Sequence, residues 1–104
     1  MTLAFILTMP GCNSWDGRWS GEGCLHARVR NLGRSQKAEA QGRLLVGSYG
    51  YRWSDGWAAS VDVREVDAAE ARRLRSKSVG FAGYDWMIDS ILTHGEIRTP
   101  QAAS

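Results

Sequence analysis

Cys12, Cys24, His26 and His94 are the thiol and imidazole side chains available to hold a metal. The spacing Cys-x11-Cys-x-His lacks the short paired ligands of a structural zinc site. Cys24 and His26 share a face if their segment is a strand. A solvent-facing histidine beside a small cysteine explains the pair as simply. Asp85 and Asp89 stand one helical turn apart, where two carboxylates can push one pKa upward. A solvated helix face accounts for them with fewer assumptions. Ser20-Gly21-Glu22-Gly23 is glycine-rich, but it precedes a strand and lacks the lysine of a phosphate loop. No nucleophile, base and orienting group fall into a catalytic pattern. The residues therefore point away from an enzyme, a metal site and a bound cofactor, and toward recognition.

Recognition chemistry is better supplied. Trp15-Asp16-Gly17-Arg18-Trp19 and Trp53-Ser54-Asp55-Gly56-Trp57 each set two indoles around an Asp-Gly turn signal. Arg28 and Arg30 alternate along one strand face, Arg52 lies on the polar face of a hairpin, and Arg72, Arg73 and Arg75 form a second basic patch. Trp and Arg dominate protein-interface hot spots. Trp15, Trp19, Arg28, Arg30 and Arg52 are expected at a binding surface, with Arg72, Arg73 and Arg75 as a further patch. The alternative for Trp15 and Trp19 is that they cap the open end of the core. With 13 basic against 11 acidic residues, the net charge of +2 is too balanced to make nucleic acid the first expectation. A small nucleic-acid-binding domain built on the same arginines is the alternative.

These side chains need a scaffold, and 104 residues suffice for one domain with one modest core. Residues 3–9 are almost wholly apolar without alternation, as in a strand covered on both faces. The run is too short to span a membrane and lacks the basic start of a secretory signal, so a cytoplasmic protein is expected. Met9 is a second candidate start. Two cysteines make no disulfide framework, and whether Cys12 and Cys24 pair stays open. Residues 24–30 alternate, with Leu25, Ala27 and Val29 opposite His26, Arg28 and Arg30. Residues 31–41 read as a polar connection with room for a helical turn from Ser35.

Residues 43–66 predict a hairpin. A three-residue Ser54-Asp55-Gly56 loop pairs Trp53 with Trp57, Tyr51 with Ala59, Tyr49 with Val61 and Gly47 with Val63. That register gathers the aromatic rings on one inward face, where Trp53 should meet Trp57. Asp67 and Glu70 form a capping-box-like start to a helix over residues 68–77, whose apolar stripe of Ala68, Ala71 and Leu74 is thin. A second helix, residues 84–94, buries Tyr84, Met87, Ile88, Ile91 and Leu92 and ends at Gly95. The expectation is an α+β fold: an antiparallel sheet of about four strands with two C-terminal helices packed on one face. The domain covers residues 1–98, and residues 99–104 form a tail.

The segments Asn13-Ser14-Trp15-Asp16-Gly17-Arg18-Trp19-Ser20-Gly21-Glu22, residues 49–63 and residues 83–91 together resemble small proteins of phage and prophage genomes. The resemblance covers most of the chain and assigns no active site. It implies a small non-enzymatic protein that binds a host protein or protein complex, including anti-defence factors of the anti-CRISPR kind.

Overall fold

The computed structural model describes residues 1–9, 25–78 and 83–99. Trp15, Trp19, Cys12 and Cys24 lie outside the described residues, as do Asp16 and Glu22. Four strands, β1 (Thr2–Thr8), β2 (His26–Asn31), β3 (Gly47–Arg52) and β4 (Ala58–Glu65), form one antiparallel sheet in the order β2-β1-β4-β3. Three helices join them: α1 (Gln36–Leu45), α2 (Ala68–Lys77) and α3 (Asp85–His94). The fold is α+β.

The central strand explains the layering. Successive side chains of β1 point to opposite faces, and both sets are apolar and buried. Leu3, Phe5 and Leu7 pack with Val61 and Val63 of β4, Leu45 of α1, and Met87, Ile88 and Ile91 of α3. Ala4 and Ile6 pack on the reverse face with Leu25, Ala27, Val66, Ala71 and Leu74. The helices are thus divided: α1 and α3 cover one face, and α2 covers the other over β1 and β2. This corrects the placement of both C-terminal helices on one face. The hairpin β3–β4 has one apolar face because it occupies the sheet's margin, whereas the apolar run of β1 needs cover on both sides.

A second correction concerns residues 36–45, expected as a connection running into a strand at residue 43. They form α1, whose N-cap Ser35 accepts a hydrogen bond from the Ala38 amide at 3.0 Å. Gly42 lets the Met1 side chain lie close over α1, since a Cβ there would overlap the Met1 sulfur unless that side chain moved. The helix starts of α2 and α3 differ from each other. Asp67 accepts from the Glu70 amide at 2.8 Å, while Tyr84 offers α3 no side-chain cap. Gly95 ends α3 in the left-handed conformation, at φ 71°. Thr99 hydrogen-bonds the Tyr51 hydroxyl at 3.0 Å, and residues 100–104 of the expected tail lie outside the described residues. No helix among the described residues is long and apolar enough to cross a membrane.

Candidate binding surface

The hairpin forms in the expected register: Gly47 pairs with Val63, Tyr49 with Val61 and Tyr51 with Ala59. At its end the Trp53 amide donates to the Trp57 carbonyl at 2.7 Å, and the Gly56 amide donates to the Trp53 carbonyl at 3.0 Å. The Asp55 carboxylate accepts from the Trp57 amide at 3.0 Å, and Gly56 takes φ 96°. Each turn residue thus has a local reason to be there.

The rings depart from expectation. Trp53 packs edge-on against Tyr51, with centroids 4.9 Å apart, and against Tyr84 at 6.0 Å. Tyr51 in turn meets Trp86 of α3 at 5.2 Å and 82°. These T-shaped contacts tie the hairpin to α3. Among the described residues Trp57 joins none of these ring contacts and is 55 % exposed, so the anticipated Trp53–Trp57 packing is replaced by Trp53 turning toward Tyr84. Met9, Trp53, Asp55, Trp57 and Tyr84 line a cavity of about 260 Å³ at this end of the sheet. Among the described residues its lining joins three aromatic rings, a thioether and one carboxylate. That chemistry suits an apolar side chain with a cationic tip.

The expected arginine surface is distributed differently. Arg28 and Arg30 lie on the face that α3 covers, not on a free polar face. Arg28 pairs with Asp85 at 2.6 Å, and Arg30 approaches Asp89 at 3.9 Å. Two residues along a strand advance about 6.7 Å, and four along a helix about 6 Å, so the two pairs fit in parallel. Asp85 and Asp89 thus each face an arginine of β2 across the α3–β2 contact. Arg52 stays exposed on the opposite face, its guanidinium donating to the Gly56 carbonyl at 3.1 Å.

On α2, Arg73 folds back onto Glu70, with hydrogen bonds of 2.6 and 3.0 Å, and Arg64 of β4 reaches the same carboxylate at 2.8 Å. The hydrogen bond from Arg73, with the charges of both arginines, holds the Glu70 carboxyl below its ordinary pKa against its partial burial. The expected capping box is therefore half made: Asp67 caps Glu70, but the Glu70 side chain serves the arginines. Arg72 and Arg75 are exposed and carry no ion pair among the described residues. No cluster of three His, Cys, Asp or Glu occurs among those residues.

The structure thus brings together residues that the sequence reading left out of the site: Met9, Asp55, Trp57 and Tyr84. The signal for Trp57 was present, because a residue directly after a three-residue turn stands where the sheet ends and its cover runs out. No family model matches the chain, and neither the curated proteins nor the solved structures yield a match.

Proposed function

We propose that this chain is a non-enzymatic cytoplasmic protein that binds a host protein complex, as its resemblance to phage and prophage proteins implies, with inhibition of a defence assembly such as CRISPR–Cas as the specific form. The observation that supports this reading is Trp57. A large aromatic side chain stands more than half exposed beside a cavity walled by Trp53, Tyr84 and Met9. Its neighbours are fixed by ring contacts, so binding there orders few further side chains, and rigid aromatic anchors of this kind carry interface energy. Asp55 gives the cavity a preference for a basic side chain of the partner.

Tagged protein incubated at micromolar concentration with lysate of a CRISPR-bearing bacterium should retain a stoichiometric partner. Trp57→Ala should abolish retention with an unchanged melting temperature. Asp55→Asn, which keeps the turn acceptor and removes the charge, should weaken it. Retention of nothing, or retention indifferent to Trp57→Ala, overturns the proposal. Exposed Arg72 and Arg75 favour a second reading, a nucleic-acid contact on α2. It predicts binding that falls steeply with salt and is lost on reversing those two charges. A flat salt response excludes it.

A further inference from the structure

The two margins of the sheet differ in how their outward backbone groups are met. Along β2 the backbone of Ala27 faces away from β1. There the Ser78 hydroxyl, at the C-cap of α2, accepts from the Ala27 amide and donates to its carbonyl, both at 2.9 Å. That side chain satisfies both backbone groups of Ala27 at the margin. Along β3 the groups turned toward β4 belong to Gly47, Tyr49, Tyr51 and Trp53, as the Trp53–Trp57 bond fixes. The amides and carbonyls of Ser48, Gly50 and Arg52 therefore face outward, and among the described residues nothing meets them. An open strand edge is usually guarded by lysine, proline or a bulge. Here the outward positions begin with Ser48 and Gly50, and only Arg52 at the end is charged.

We propose that β3 pairs with β3 of a second copy of this chain, antiparallel about a two-fold axis at Gly50, to make one continuous eight-stranded sheet. The register follows from charge. An axis at Gly50 sets Arg52 of each copy opposite Ser48 of the other, and each pair exchanges both its N–H···O bonds. On the same face the Ser48 hydroxyl donates to Asp62, the next residue across. Arg52 of one copy thus lies two strand spacings, about 10 Å between Cα atoms, from Asp62 of the other, a gap an extended arginine spans. The cation and the carboxylate stand at opposite ends of one exposed face, and the two-fold brings each to its counterpart.

Space permits the contact. A Cβ at Gly50 would meet nothing within 4 Å, so the strand is bare where the axis passes. The exposed large apolar side chains agree as well. Leu44, 84 % exposed, and Val46, 46 % exposed, flank the start of β3. The two-fold carries the Leu44–Val46 corner of each copy alongside the turn of the other.

Sedimentation velocity on the full chain over about 5 to 500 µM tests this, a range suited to a small interface. The expected result is a reversible shift from 11.5 kDa to twice that mass. Gly50→Lys places like charges face to face on the axis and should raise the dissociation constant at least about tenfold, with an unchanged circular dichroism spectrum. Arg52→Glu should weaken association, and Arg52→Glu with Asp62→Arg should restore it. A wild-type chain that stays monomeric throughout, even if it captures another protein's strand, overturns the proposal. So does a dimer indifferent to Gly50→Lys. Trp57→Ala leaves the outward backbone of β3 intact and should still dimerise, so loss of partner binding and loss of the dimer can be told apart.

Discussion

Leu74 is the residue on which the docking of α2 depends. The helix buries two side chains, Ala71 and Leu74, and Leu74 is the only large one. Leu74→Ala withdraws three carbons from contact with Ala4, Ile6, Leu25 and Ala27. At about 0.8 kcal/mol per buried methylene the transfer loss is about 2.4 kcal/mol. The alanines around the gap have no rotamers with which to fill it, so a residual cavity adds about 1 kcal/mol. The expected loss, about 3–4 kcal/mol, is a large share of the roughly 5–15 kcal/mol by which domains are stable. Urea unfolding followed by circular dichroism at low protein concentration measures it, with the slope against denaturant unchanged. Leu44→Ala is the matched control: it is also a leucine on a helix, but 84 % exposed, and it should change stability by less than about 0.5 kcal/mol. A Leu74→Ala loss under about 1 kcal/mol, or equal losses at both sites, would refute the assignment of α2 to its own face of the sheet.

Two further outcomes follow from hydrogen bonds around α2. Glu70 has a lowered folded-state pKa, so it stabilises the fold above its unfolded pKa and loses that contribution as pH falls through the folded value. The stability gap between wild type and Glu70→Gln should therefore be full at neutral pH and shrink in acid; a gap that widens on acidification contradicts the Arg73–Glu70–Arg64 arrangement. Ser78→Ala strips both partners from the Ala27 backbone and should cost about 1–3 kcal/mol, whereas Ser78→Thr should recover most of it, as thermal melts would read.

The hairpin was legible to the residue because two signals agreed there: a turn tripeptide and a side-chain alternation that a one-residue slip would destroy. Helix α1 was less so. Its sequence QKAEAQGRLL holds a glycine and buries only Gly42 and Leu45, and what lies over Gly42 is the distant Met1 side chain. The division of helices between faces was half visible. The unalternating apolar run of residues 3–7 demands two covers, whereas the one-sided hairpin by itself points to a single covered face. At the site, Arg28 with Arg30 and Asp85 with Asp89 each showed the right local spacing, but their mutual pairing needs α3 laid across β2, which no local pattern encodes. The exposure of Trp57 depends on Trp53 choosing Tyr84 as its neighbour, a choice made by tertiary contact.

The first strand of the chain is the second in the sheet, and this shapes how the molecule is made. During synthesis β1 leaves the ribosome before any of its covers exist, with Phe5, Leu7 and Ile6 offering grease to both sides. Its pairing with β4 joins Leu3 to Glu65, so the middle of the sheet closes only after β4 has been translated. Long loop closures of this sort slow folding and prolong the time a nascent chain is adhesive.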